Sequence, residues 1–353
     1  MDCPYTPVEI TNIVNRMPNS YGIISGLNMF AFKGIAGTKF GIEEINGDAC
    51  SALVPTAPYC CDYDPNANDV PGRTFRYIDV PHTPLNDAVR ACDISGMSAS
   101  GNLGLDQSFQ TIDDEVIERN ALMRGKMEMT LEYRYLSALK GVIYDADGAT
   151  KILDLFQHFG ITQTVVDFEF TNPDFDVLAA CRQVIRAIRD AGHQIGFNQV
   201  RAYVDAGFFD ALVQHPSAID IWKRCCEMSA RAMDDMNQTV TPRFFFGQIL
   251  FVEYHEQACH PRAINNVDGV KAAVQFLAPA TGIAFPLGIT GQRLYELVGA
   301  PKQALDTVNR TADRLYYADI RPNRRGTAVE LELEMNALPI VKQPGVLIKL
   351  TMS

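Results

Sequence analysis

Residues 111–141 read TIDDEVIERNALMRGKMEMTLEYRYLSALKG, and their spacing predicts one unusually long helix. Thr111 is placed to act as N-cap, with Asp113 and Asp114 in the first turn, where unpaired N–H groups and the positive end of the helix dipole favour carboxylates. Val116, Met123, Met127, Leu131, Tyr135 and Leu139 recur at three, four and seven, which gives an apolar stripe. Glu115, Arg119, Arg124, Glu128 and Glu132 fall on other faces, so one face is expected to be buried. Lys140 in the last turn and Gly141 after it mark the end. At roughly 1.5 Å per residue the rod is on the order of 44 Å long, far beyond the average helix of a compact enzyme. Gly125 is its weak point, costing roughly 1 kcal/mol relative to alanine, and a bend is expected there.

N-terminal to this helix the chain reads as parts that do not close on themselves. Residues 1–37 carry a short amphipathic piece, Pro7 to Met17, then a Gly-punctuated stretch with Phe30, Phe32 and Ile35; this reads as an arm that packs on something else. From Thr38 the pattern alternates through KFGIEEI, meets Asn46-Gly47 and runs on through Val54, a strong β-hairpin signal. Residues 55–72, dense in Pro, Asn, Asp and Gly, read as a long loop, and Arg73 to Val80 as a further strand. Together 38–82 form a β-excursion too poor in apolar residues for a core of its own. Pro81-His82-Thr83-Pro84 breaks the strand, and a polar connection leads to the helix.

Beyond Gly141, VIY and KILDLF flank Asp145-Ala146-Asp147-Gly148 and read as a second hairpin. A more conventional α/β region follows. Helices are expected at Val177–Arg189, ending at Gly192, at Ala202–Val213, stopped by Pro216, at Ala218–Met236, and as a short piece at Ala300–Val308. Strands are expected at Arg243–Tyr254, Ala273–Leu277, Val329–Met335 and Val346–Leu350.

Composition narrows the function classes. The 353 residues are 47% hydrophobic and 21% charged, ordinary for a well-cored protein. A net charge of -11 argues against broad nucleic-acid binding, which depends on Lys and Arg neutralising phosphates. Nine cysteines, with vicinal pairs at Cys60-Cys61 and Cys225-Cys226 and no C-x-x-C, indicate neither a disulfide framework nor a zinc ribbon. They read as reduced thiols in a cytosolic compartment. No apolar run reaches the roughly 18 residues of a membrane span, and MDCPYTPVEI lacks the order of a signal peptide.

Four groups of residues invite a chemical reading. Asp145-x-Asp147-Gly148 after an apolar strand matches the start of a haloacid-dehalogenase-type phosphatase, where one Asp is nucleophile, the next a general acid, and magnesium sits between carboxylates and phosphate. Asp-Gly is equally a hairpin turn, and Ala149 stands where that motif has Thr or Val. The turn is therefore preferred, with Asp234-Asp235 inside a helical pattern and Phe156 at the twelfth position of a would-be calcium loop. His255, Glu256, Cys259 and His260 cluster, but a separation of five between the histidines turns them apart on a helix, unlike i and i+4 zinc ligands. Trp222 and Phe244 to Phe246 read as core. Arg321, Arg324 and Arg325 form a compact basic cluster, read as a solvated loop. No phosphate-loop, dinucleotide or nucleophile-elbow motif occurs. No catalytic, cofactor-binding or metal-ligating residue is assigned.

Leu131–Gly160, LEYRYLSALKGVIYDADGATKILDLFQHFG, resembles the core of the lambda-type major capsid family (phage major capsid protein E). The likeness continues through Val80–Leu85, Phe208–Leu212 with His215-Pro216, Phe285–Gly288, Ala300-Pro301 followed by Thr307-Val308-Asn309, Asn336–Pro339 and Pro344–Leu347. Ala337 stands where the family usually has Pro, and Arg310 after Asn309 departs in detail. The likeness covers nearly the whole chain through the order and spacing of strings that are weak singly. It implies an α+β, Hong Kong-type tailed-phage capsid fold: an N-terminal arm at 1–37, an extended E-loop at 38–82 that reaches a neighbouring subunit, a peripheral domain at 83–164 and 311–353 with the spine helix at 111–140, and an axial domain at 165–310. It implies a non-enzymatic major head protein that assembles in the host cytoplasm, as hexamers and pentamers of itself, into the icosahedral virion shell around double-stranded DNA of a tailed phage or prophage. DNA is enclosed without sequence-specific binding. Scaffold and portal are implied partners, a decoration protein is an optional one, and no cofactor, metal or membrane is involved. The rivals are the phosphatase built on Asp145 and Asp147, and an encapsulin-like compartment holding enzyme cargo.

Overall fold

The computed structural model describes residues 7–17, 22–46, 72–94, 112–192, 196–220, 242–255, 257–259, 273–289, 293–305, 307 and 309–353. Helix α1 (Pro7–Arg16) and strand β1 (Ala31–Gly34) come first, then β2 (Lys39–Asn46), β3 (Gly72–Asp79), β4 (Pro84–Arg90), a single turn α2 (Ala91–Ile94) and α3 (Ile112–Lys140). Next come β5 (Val142–Tyr144), β6 (Lys151–Asp154), α4 (Leu155–Phe159), β7 (Val165–Phe168), α5 (Val177–Ala191), β8 (Gln199–Val204) and α6 (Ala206–Gln214). The remainder is β9 (Arg243–Phe246), β10 (Ile249–Glu253), β11 (Gln257–Cys259), β12 (Ala273–Gln275), β13 (Thr281–Leu287), β14 (Tyr295–Gly299), β15 (Tyr316–Pro322), β16 (Ala328–Met335), β17 (Ala337–Val341) and β18 (Ile348–Met352).

The long helix forms with Asp113, Asp114 and Glu115 in its first turn and Lys140 in its last. Thr111, its expected cap, lies outside the described residues. Gly141 stops it at φ +83°, and a Cβ there would lie 2.0 Å from the Phe156 ring, so only glycine fits. Every residue of the expected stripe is buried. Burial nevertheless exceeds one face: Asn120, Arg124, Glu128, Glu132 and Arg134 are buried too, as is every residue from Leu131 to Leu139. Sheets and the N-terminal segment wrap the C-terminal half completely, and an amphipathic pattern cannot describe such a helix.

Three sheets surround it. A six-stranded sheet runs β7-β18-β13-β8-β10-β9, with β7 parallel to β18, β8 parallel to β10 and the other neighbours antiparallel. Asp176 caps α5 by accepting the Leu178 and Ala179 N–H groups at 3.0 and 3.1 Å, and its apolar face (Val177, Cys181, Val184, Ile188) packs on this sheet. A three-stranded sheet β15-β16-β4 lies along the N-terminal half of α3, with α1 on β15. A third, β1-β14-β17, joins the N-terminal segment to β14 in parallel. The chain after residue 311 thus contributes to all three sheets.

Several expectations need correction. Strand β2 pairs with β3, which the expectation of a hairpin with the run through Val54 did not foresee, and that run lies outside the described residues: Phe40 faces Ile78 and Lys39 faces Asp79, which puts Phe40, Ile42, Ile78 and Val80 on one buried face. Matching buried faces sets register more strongly than one Asn-Gly dipeptide. The expected helix Ala202–Val213 begins as strand β8, and α6 starts only after Asp205, whose carboxylate accepts the Gly207 N–H at 3.1 Å. Val200, Ala202, Tyr203 and Val204 are buried in mid-sheet, where a short apolar run is strand and helix alike by pattern. Arg243–Tyr254 is two strands hinged at Gly247 and Gln248, both at positive φ, the backbone of a two-residue hairpin turn. Described residues between Ala300 and Val308 form turns rather than a helix, held by the Thr307 hydroxyl on the carbonyls of Lys302 and Ala304. The polar connection after Thr83 begins with strand β4. Gly47 onward to residue 71, and most of Ala218–Met236, lie outside the described residues.

Candidate functional site

The residues from Asp145 to Thr150 make a turn. The Asp145 N–H donates to the Thr150 carbonyl, and the Gly148 N–H to the Asp145 carbonyl, both at 2.9 Å. Asp147 Oδ1 accepts the Ala149 and Thr150 N–H groups, each at 2.9 Å, while its Oδ2 accepts the Thr150 hydroxyl at 2.6 Å. A general acid must present a carboxyl to substrate; this one is tied to its own loop in an Asx turn. Among the described residues no group of three or more His, Cys, Asp or Glu is placed to hold a metal ion. His255 is exposed, and Glu256 and His260 lie outside the described residues, as do Trp222 and Asp234-Asp235. Phe244 and Phe246 are core, whereas Phe245 between them is 64% exposed on the edge strand β9. The basic cluster separates: Arg321 pairs with Asp319 at 2.5 Å beside Lys302, and Arg324 and Arg325 sit exposed in the β15–β16 turn. Cys92 and Cys181 are free thiols, and burial pushes Cys181 up to about 12, which leaves it inert.

The groups that do converge lie on α3. Glu132, 1% exposed, accepts the Ile24 N–H at 2.7 Å and the Ser25 N–H at 3.1 Å, with the Tyr254 hydroxyl at 3.4 Å. The carboxylate therefore stands at the start of the turn Ser25–Leu27, where helix-type N–H groups lack partners. One turn earlier Arg124 and Glu128 pair at 2.7 Å inside the protein, and Arg124 also donates to the Val14 carbonyl of α1 and lies over the Tyr316 ring. Arg134 reaches the Thr83 hydroxyl at 2.8 Å and the Ala337 carbonyl at 3.2 Å, and burial pulls it down to about 10. Lys140 donates to the Phe276 carbonyl at 2.7 Å, and burial pulls it down to about 8.

Along its length, then, the helix binds the backbone of the N-terminal segment, the strands on either side of it and the six-stranded region. A cavity of about 170 Å³ lies under residues 24–30 against Leu131 and Tyr135, so polar bonds pin this segment where packing is incomplete. Sequence reasoning placed Arg124, Glu128 and Glu132 outside the buried stripe. The signal available was LEYRYLSAL: two charges in an otherwise dense apolar run, which marks a helix enclosed all round.

The β2–β3 pair is a separate unit of sheet. It forms a sheet of two strands only, with no third strand among the described residues, and Tyr77 is 68% exposed on its outer face. A long helix enclosed by sheets, a two-stranded hairpin and a segment strapped across the helix are the parts of this fold. The fold is that of a capsid subunit of the Hong Kong type: the chain is similar to the putative capsid protein of a prophage from E. coli CFT073, with TM-score 0.54, 9% identity and 99% of each chain covered.

The family described as Phage major capsid protein E matches residues 6–352, and the chain belongs to that family. It is 24% identical to the major capsid protein of Salmonella phage Felix O1 over 96% of this chain and 94% of that one. It is 23% identical to the major capsid protein of Pseudomonas phage KPP10 over 97% and 95%. The family is one of structural capsid proteins, and this chain is a shell-forming protein of the virion capsid rather than an enzyme. No described helix is long and apolar enough to cross a membrane.

Proposed function

We propose that this chain assembles as hexamers and pentamers into the icosahedral head of a tailed phage or prophage, around double-stranded DNA. Residues 1–37 act as the N-terminal arm and 38–82 as the loop that reaches a neighbouring subunit. Residues 83–164 with 311–353 form the peripheral domain on the spine helix, and 165–310 the axial domain. Scaffold and portal are its partners during assembly, and a decoration protein is an optional one. The observation that carries this reading is the β2–β3 sheet, which among the described residues has two strands only, so that its outer edges suit pairing with another subunit. The net charge of -11 supports enclosure of DNA without adhesion. On maturation the arm, the loop and the spine helix move against the axial domain, with Gly125 as the bend. Electron microscopy of the expressed chain, alone and with its scaffold, tests the proposal. Closed shells containing pentamers and hexamers are expected; a monodisperse monomer without shells, sheets or rings under every condition would overturn it.

A further inference from the structure

The sheet β15-β16-β4 has two edges, and each is blocked by side chains rather than by strands. On β4, the Ala88 N–H donates to its neighbour Asp87 at 2.8 Å, and Arg119 of α3 donates to the Ala88 carbonyl at 3.4 Å. On β15 the substitution is more complete. The hydroxyl of Thr11 in α1 accepts the Ala318 N–H at 3.0 Å and donates to the Ala318 carbonyl at 2.9 Å. One turn on, Asn15 Nδ2 donates to the Tyr316 carbonyl at 2.9 Å. These bonds, two residues apart on one strand, are the ones an added antiparallel strand would make. A helix cannot pair with a strand through its own backbone, which its internal ladder consumes; only side chains at i and i+4 reach an edge in this way. Tyr316, Ala318 and Ile320 are all buried, with Ile10 and Val14 of α1 buried as well.

We propose that α1 is a removable guard of the β15 edge, and that its occupant when α1 is lifted is the same edge of a second copy of this chain. Two β15 strands meeting antiparallel about a two-fold axis would each satisfy the groups that Thr11 and Asn15 now hold. The second copy is the occupant because this chain builds a shell from copies of itself; to that extent the inference rests on the capsid reading. Its first readout does not.

The test uses the full chain with Thr11→Val, which keeps shape but loses both bonds, Thr11→Ser, which keeps the hydroxyl, and Thr11→Val combined with Asn15→Leu. Amide exchange at Ala318 should rise about fivefold in Thr11→Val and return to the wild-type rate in Thr11→Ser. Far-ultraviolet circular dichroism identifies any variant that merely unfolds. In the double variant, sedimentation over a concentration series should show dimers at concentrations where the wild-type subunit stays monomeric. Unchanged exchange at Ala318 in Thr11→Val would overturn the guard contact. Raised exchange without added self-association in the double variant would overturn the proposed occupant. Shell formation by the wild-type chain, scored separately by microscopy, distinguishes either failure from failure of the capsid reading.

Discussion

Glu132 lends itself to a quantitative test because its carboxylate holds two backbone N–H groups from a distant segment in a buried place. Glu132→Leu keeps the bulk and helix propensity but leaves the Ile24 and Ser25 N–H groups without that acceptor. An orphaned buried donor costs about 1–3 kcal/mol, so the expected loss is about 2–5 kcal/mol. Glu132→Gln retains one carbonyl oxygen and turns an NH₂ toward the other donor, which should cost less, about 1–2 kcal/mol. The assay is the urea midpoint of the unassembled chain, followed by circular dichroism, together with limited proteolysis between Met17 and Ala31. The bonds are local to residues 24 and 25, so proteolysis should respond before the global midpoint. The order should be wild type, then Gln, then Leu in both measurements. If Glu132→Leu stays within about 0.5 kcal/mol of wild type and the segment remains resistant, the carboxylate is not what holds it.

Other outcomes follow from the same geometry. Gly125→Ala places a methyl that meets nothing within 4 Å beyond the helix's own adjacent backbone, so it should stabilise the subunit by about 1 kcal/mol, read as a raised melting midpoint. If Gly125 is the maturation bend, the same variant should also slow shell expansion, measured by scattering. Gly34→Ala should behave oppositely, because its Cβ would lie 1.7 Å from the Ala312 carbonyl oxygen; loss of soluble folded protein is expected. Lys140 sits near 8 in the folded chain against 10.5 unfolded, so between those values the unfolded state binds more protons and stability rises with pH. Lys140→Met should flatten that rise in denaturation midpoints taken from pH 8 to 10. Asp147→Ala removes three bonds from an exposed turn and should cost about 1 kcal/mol. Neither it nor Asp145→Asn should alter magnesium-dependent hydrolysis of a phosphate ester, which is expected at blank level in all three proteins.

What was legible in the sequence had a local cause. The ends of α3 follow from acidic residues in its first turn and Gly141 after its last, and α5 from a regular apolar spacing that stops near Gly192; both helices lie where those residues place them. The Asp145–Gly148 turn was legible because Asp147 satisfies its own loop. Strand β8 was not, since Arg201 to Val204 is apolar enough for either element and only its neighbours β13 and β10 decide. The partner of β2 was hidden for the same reason, as pairing across some 25 intervening residues is settled by matching faces. The bonds of Glu132 and Arg134 join residues 51 to 203 positions apart in sequence. Spacing along one helix carries no record of them.

Strand β18 sits between β7 and β13, and Thr351 bonds to Asp167 across 184 positions of sequence. At about 5–20 residues per second on the ribosome, β7 waits roughly 10–40 s for the strand that completes its pairing. Throughout that interval β7 presents an unpaired edge, and β13, once made, presents another until β18 follows. The sheet cannot be finished by a nascent chain from its earlier strands alone. A subunit therefore becomes competent to assemble only after residues 348–352 are made, so the order of synthesis delays shell building until the sheet can close.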